Sequence, residues 1–294
     1  MRIIAAGVSG FLGARLTSAL TADGHDVVRL VRRPAQGPAE STWDPDRGQL
    51  DHAVFDGADA VINLCGAGIG DHRWTHQYKQ LLWSSRVTPT RVLAEECAQS
   101  GVPTLLNASG TGFYGARHDT RIDTERSPAG ETFLAEVCVD WEAATDAAVQ
   151  DDVRVVLLRT APVIGRDGGM LTQLAPVIKL GLGGRLGRGD QWFPWISVTD
   201  WVRAVRHLLG STVDGAVNMT APYPVTNAEF MSALARQYHR PAPWVVPAPA
   251  LHLVLGQFAE ELLGGQRAVP TVLHDDGFEF SHRTLDVALA AELG

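Results

Sequence analysis

The strongest constraint on this chain stands at its start. A short apolar run, Arg2–Ala6, leads into Gly7-Val8-Ser9-Gly10-Phe11-Leu12-Gly13, and helical periodicity begins at once. A tight strand-to-helix turn needs a residue tolerant of unusual φ, which Gly7 supplies. Gly10 lets backbone approach a pyrophosphate at the helix N-terminus, where free N–H groups and the helix dipole favour an anion. Gly13 lets the helix lie close on the sheet. Three glycines between the first strand and first helix of an α/β chain mark a dinucleotide-binding turn.

The rest of the first half has the texture that such a turn requires. Residues 11–23 place Leu12, Leu16, Ala19 and Leu20 on one helical face. Strands are expected at 26–31, 60–64, 104–108 and 154–159, with helices near 77–100 and 131–149. Continuous apolar strands alternating with helices predict an α/β fold, a Rossmann-type doubly wound parallel sheet covered on both faces. Such sheets bind ligands at the carboxyl ends of their strands. After about Gly165 the pattern breaks into glycines (Gly181, Gly183, Gly184, Gly187, Gly189), aromatics and a proline-rich stretch, 241–249. Residues 1–165 are therefore expected to form the Rossmann dinucleotide-binding domain. Residues 166–294 form a smaller C-terminal α/β substrate region, and a return of the chain to the Rossmann domain near 195–220 stays open.

The second strand selects the cofactor. Versions that bind NAD carry an acid about 20 positions beyond the glycines, where it accepts from the ribose 2′-hydroxyl. Here the segment reads Arg29-Leu30-Val31-Arg32-Arg33, and a guanidinium fits a 2′-phosphate that a carboxylate would repel. One charge-assisted contact favours NADP(H) by roughly ten- to a hundred-fold. The formal charge of −8 argues against nucleic acid or an anionic membrane as partner. No run reaches the ~18 apolar residues of a membrane span. Cys65, Cys97 and Cys138 are scattered, which points to reduced thiols in a cytoplasmic protein. No metal site is expected: His72 and His76 are spaced i, i+4, but Arg73 stands where a zinc hydrolase needs glutamate.

Several further motifs follow in order: Asn63-Leu64-Cys65-Gly66-Ala67-Gly68, Ser84-Ser85-Arg86 and Ser109-Gly110-Thr111-Gly112-Phe113-Tyr114-Gly115. Gly181-Leu182-Gly183-Gly184, then Gln191-Trp192-Phe193-Pro194-Trp195-Ile196 and Asp200, continue the series. With the N-terminal glycines and the tail at 244–293, the chain resembles the atypical "epimerase family" branch of the extended short-chain dehydrogenase/reductases, the YfcH-like (SulA-like) proteins. The resemblance implies that Gly7, Gly10, Phe11, Leu12 and Gly13 line the pyrophosphate and that Arg32 meets the 2′-phosphate, with Arg33 beside it. It places Leu64, Cys65 and Gly66 along the adenosine and ribose side and Arg86 facing the cofactor. Pro162 joins the cofactor-contacting candidates. Ser109 matches the serine that hydrogen-bonds a substrate carbonyl or hydroxyl, and Tyr114 the Tyr-Gly element beside it.

The chain departs from that family's pattern at the Tyr-x-x-x-Lys pair, whose lysine lowers the tyrosine pKa from about 10. Matching Glu142 to the family's later glutamate puts Leu134 and Cys138 at those two positions. Two readings remain. In one, an NADP(H)-dependent oxidoreductase or epimerase-like enzyme acts on a small molecule, with Ser109 and Tyr114 as catalytic candidates. In the other, a redox-sensing or regulatory protein binds NADP(H) without turnover. Gln191, Trp192, Phe193 and Trp195, after the glycine-rich stretch, are candidates for a substrate wall offering flat apolar surface.

Overall fold

The computed structural model describes residues 1–294. The aliphatic runs become strands because both of their faces are covered. In β1 (Arg2–Ala6), Ile3, Ile4, Ala5 and Ala6 have almost no exposed surface. Around it lie β2 (Asp26–Val31), β3 (Glu40–Thr42), β4 (Ala60–Asn63), β5 (Thr104–Gly110), β6 (Arg154–Thr160) and β7 (Gly215–Met219). They pair in parallel in the order β7-β6-β5-β4-β1-β2-β3. The order reverses between β1 and β4, which opens the ligand crevice of a doubly wound sheet beyond the ends of those two strands.

Helices cover both faces. On one, α1 (Phe11–Ala22) and α6 (Val198–Gly210) bury Leu16, Leu20, Trp201, Val205 and Leu208 against Ile3, Ile62, Val156 and Leu158. On the other, α2 (His76–Ser100) and α4 (Asp146–Gln150) bury Leu93, Ala94, Cys97 and Ala148 against Ile4, Val61, Leu105 and Val155. Each large aliphatic side chain among them contributes about 1.5–3 kcal/mol of transfer free energy. Thr75 caps α2, accepting from the Tyr78 N–H at 3.2 Å, and Gly101 closes it with φ 65°. The single helix expected over 131–149 is two, α3 (Phe133–Ala143) and α4, because the chain turns at Ala144 and Thr145.

Past residue 165 the chain builds a third core from α5 (Met170–Lys179), α7 (Asn227–Gln237) and the last helix, Leu285–Leu293. Trp195, Phe230, Leu234 and Leu289 meet there. It also returns to the Rossmann layer, which gains α6 and β7 from it. The tail is sewn back at two places. Asp200, at the start of α6, accepts from the N–H groups of Ser281 and His282 at 2.9 and 2.8 Å. Arg267–Ala268 pairs in parallel with Ile122–Asp123. No helix is long and apolar enough to cross a membrane.

Candidate functional site

The glycine turn has three separate geometries. Gly7 has φ +70°, and a Cβ there would lie 2.4 Å from the backbone nitrogen of Cys65. Any side chain at 7 would therefore push β1 away from the end of β4. A Cβ on Gly13 would lie 2.2 Å from the Cα of Val8, so α1 sits directly on the turn. Gly10 is different: a Cβ there meets nothing within 4 Å, and no side chain caps α1. Open space over an uncapped helix N-terminus is the cradle that a pyrophosphate fills. Phe11 turns the other way and packs into the loop 165–169, where added Cβ atoms on Gly165 or Gly168 would strike its ring. Leu12 packs against the core under α1 and α6.

At the end of β2 the two arginines separate. Arg33 is bound bidentately by Glu40 of β3, at 2.7 and 2.8 Å, and Arg29 shares the same carboxylate. The Arg33 hydrogen bond, with help from the Gln36 N–H, holds the Glu40 carboxyl down to about 2. Arg32 makes no hydrogen bond or ion pair and is exposed, and its charge reaches Cys65 across the crevice. Of the pair expected at the 2′-phosphate, Arg33 is thus already committed and Arg32 is free.

Leu64 continues β4 through an N–H bond to Ala6, and Cys65 is turned by its N–H to the Asn63 side chain at 3.1 Å. Asn63 is itself buried, donating to Thr90 and Asn107 at 2.8 and 2.7 Å. Burial pushes the Cys65 thiol up to about 12, so it stays protonated. Gly66 lies on the Arg86 guanidinium, which donates to the carbonyls of Leu82 and Ala67 at 2.9 and 2.8 Å and stacks over Trp141. Arg86 is buried without a carboxylate beside it, and desolvation lowers its pKa. The Pro162 carbonyl accepts from the Ile196 N–H at 3.2 Å, joining the end of β6 to the C-terminal region.

Ser109, near the end of β5, donates to Glu142 of α3 at 2.6 Å. Arg159 of β6 grips the same carboxylate with Nε and Nη2, each at 2.8 Å. Tyr114 corrects a sequence expectation. Placed there as a proton donor to a substrate, it is fully buried, donating to Asn218 of β7 at 2.6 Å and accepting from Arg159 at 3.1 Å. Burial pushes its phenol up to about 12. Its role is to join β5, β6 and β7 from within. Leu134 packs with Trp74, Tyr78 and Leu82, while the Cys138 thiol, raised to about 12 by burial, meets the Gly110 carbonyl.

The four residues expected to form a substrate wall also divide. Trp195 is fully buried, with its indole N–H on the Tyr223 carbonyl, and Phe193 stacks on Phe230 with 4.5 Å between centroids. Both belong to the third core, where they pack with Phe230 and Leu234 of α7. Gln191 is buried and donates to the carbonyls of Leu186 and Leu262. Trp192 keeps partial exposure, as Phe193 does, with Arg267 over its ring at 4.2 Å.

Sequence reasoning missed the C-terminal half of this region. Phe258 stacks on Trp74 at 5.2 Å, and Glu261 reaches Thr132 and the Leu134 backbone at the start of α3. Nothing local marks these residues, since they act across more than 120 positions of chain. Two surface depressions, of about 610 and 710 Å³, contain none of the candidate residues. In the first, Arg206 is already paired with Asp23 and His207 with Asp276.

Comparison with known proteins returns the same architecture. Residues 3–220 match the NAD dependent epimerase/dehydratase family, and residues 246–292 match a domain of unknown function, DUF1731. An epimerase family protein of Mycobacterium bovis is 48% identical over 97% of this chain and 95% of its own length. The human epimerase family protein SDR39U1 is 33% identical, with 98% of each chain covered. A crystal structure of human SDR39U1 (isoform 2) with NADPH superposes with a TM-score of 0.89 at 31% identity, covering 99% of both chains.

Proposed function

The chain belongs to the NAD dependent epimerase/dehydratase family, and from that premise we propose that it is an NADP(H)-binding oxidoreductase of epimerase-like type acting on a small molecule. One observation carries the cofactor reading. Arg32 is unpaired just past the end of β2, the parallel neighbour of β1, so it lies at the same end of the sheet as the glycine turn. The backbone from Gly7 to Gly13 and the uncapped end of α1 would hold the pyrophosphate, and Arg32 the 2′-phosphate. The NADPH found with the human relative supports the same reading. Bound there, the cofactor supplies a nicotinamide that gives or takes hydride. The chain's own share is to fix that crevice and to hold Ser109, whose hydroxyl is anchored on Glu142, near the end of β5. The three unpaired cysteines fit a reducing, cytoplasmic location.

A second reading, an NADP(H) sensor without turnover, is favoured by Leu134 and Cys138 in place of the usual pair and by the burial of Tyr114. Calorimetric titration with NADPH, NADP, NADH and NAD tests the part both readings share. Tighter binding of the phosphorylated pair, by tenfold or more, is expected. Equal affinity for the four removes Arg32 from its role, and absence of binding overturns the proposal. A screen for NADPH oxidation then separates enzyme from sensor.

A further inference from the structure

A hydroxyl has one proton to donate and two lone pairs to accept with. At Ser109 the proton is already spent. Glu142 lies 2.6 Å from the Ser109 Oγ. Held at both oxygens by Arg159, it is a carboxylate that accepts and never donates. The hydrogen bond therefore has one direction, from serine to glutamate. Arg159 is locked in turn by the Tyr114 hydroxyl, the Glu125 carbonyl at 3.2 Å and the Phe113 ring, 3.4 Å from the guanidinium carbon. Glu142 and Arg159 are both nearly buried, so the pair is screened little by solvent. The Cys138 sulfur, also beside Ser109, is a protonated thiol directed at the Gly110 carbonyl and competes poorly with a carboxylate.

From this geometry we infer that Ser109 is an acceptor-only contact, set by Glu142, that recognises a hydroxyl on the substrate and disfavours a carbonyl. The inference rests on the proposed function and deepens it by naming the chemical state of the substrate that the site holds. A carbonyl oxygen brought to Ser109 meets only lone pairs. An alcohol brought there donates its proton into one of them. Glu142 is thus a specificity-determining residue that acts through Ser109, and the short Ser109–Glu142 bond is its instrument. The donor has two sources, a substrate alcohol and the cofactor's own nicotinamide-ribose end. The substrate is the one proposed.

The test uses the NADP-loaded protein with cyclohexanol and cyclohexanone, a matched pair differing in donor against acceptor, read by saturation-transfer NMR. Wild type is expected to hold the alcohol about tenfold more tightly or better. In Glu142→Gln the amide can donate to Ser109 and free the serine proton, so the preference narrows or reverses. In Ser109→Ala, which leaves the Arg159–Glu142 pair intact, the two probes become equal. Titration of each variant with NADPH and with adenosine 2′,5′-bisphosphate reports on folding and on the source of the donor. Both affinities within about twofold of wild type are expected. A loss for NADPH alone assigns the donor to the cofactor and overturns the inference. Equal affinity for the two probes in wild type, a ranking unmoved in Glu142→Gln, or failure of either probe to sense Ser109 also overturns it. Loss of binding of all four cofactors by wild type instead overturns the function proposed above.

Discussion

Gly10 and Gly13 sit three residues apart in one turn, yet alanine is expected to do opposite things at the two positions. At Gly10 the backbone has φ −83° and ψ −179°, conformations open to any residue, and the new methyl meets nothing within 4 Å. Alanine restricts the unfolded chain, a gain of about 0.4–1 kcal/mol. It is also a poorer N-cap than glycine, a loss of roughly 0.5–1 kcal/mol. The two nearly cancel, and the melting temperature should stay within about 3 °C of wild type. The methyl nevertheless stands where a pyrophosphate must touch backbone. Losing one charge-assisted hydrogen bond there costs about 1.5–3 kcal/mol, a ten- to hundred-fold fall in NADPH affinity. At Gly13 the methyl lies 2.2 Å from the Cα of Val8, and rigid backbone must move by more than an ångström to admit it. An overpacking cost of about 1–3 kcal/mol follows, with a clear drop in melting temperature. Thermal melts and NADPH titrations of both variants decide the matter. A Gly10→Ala protein that binds NADPH as wild type does would refute the reading of the turn as a phosphate cradle.

Other outcomes are as specific. Arg32→Ala is expected to weaken NADPH ten- to a hundred-fold while leaving NADH unchanged. Arg33→Ala should change the NADPH-to-NADH ratio far less, because its guanidinium is held by Glu40; the same calorimetry checks both. Tyr114→Phe strands the Asn218 acceptor, costing about 1–3 kcal/mol and roughly 2–4 °C of melting temperature per kcal/mol, with NADPH affinity retained. Selective loss of NADPH affinity instead would return Tyr114 to the ligand. The Glu40 carboxyl, lowered to about 2 by Arg33, stabilises the fold above its ordinary value near 4.5, and that contribution is lost as pH falls from there toward 2. Melting curves against pH should fall less steeply over that window in Glu40→Gln, and identical slopes would refute the assignment.

Much of the Rossmann layer was legible because its signals are local. The glycine spacing fixed the first turn, and the bounds of β1 and β2 follow directly from their apolar runs. The three-residue β3 carries no periodicity to read, and Ala144 and Thr145 gave no warning that the helix over 131–149 would break. At the end of β2 the sequence marks Arg32 and Arg33 alike, and the pairing that sets them apart was not legible, since Glu40 lies on another strand. Tyr114 and Trp195 misled for the same reason. Sequence shows that an aromatic carries a polar tip, while only tertiary packing shows whether that tip faces a ligand or the Asn218 amide and the Tyr223 carbonyl. Glu142 was visible as a landmark for aligning the helix, but its grip on Ser109 depends on Arg159 from a different strand.

The hydrogen bond between Tyr114 and Asn218 spans 104 residues. At about 5–20 residues per second of synthesis, the tyrosine waits roughly 5–20 s for its acceptor to leave the ribosome. Asn218 in turn donates to the Val269 carbonyl, which emerges later still. During that interval the nascent protein owns six strands of its sheet and an unclosed edge at β6, next to a buried-to-be phenol and guanidinium with incomplete partners. Ribosome-bound chains halted before residue 215 should therefore be cleaved by protease around β5 and β6, and chains halted after the tail has emerged should resist. Residues 215–294, which bring β7, Asn218 and the Val269 carbonyl, thus close the sheet edge last in the order of synthesis.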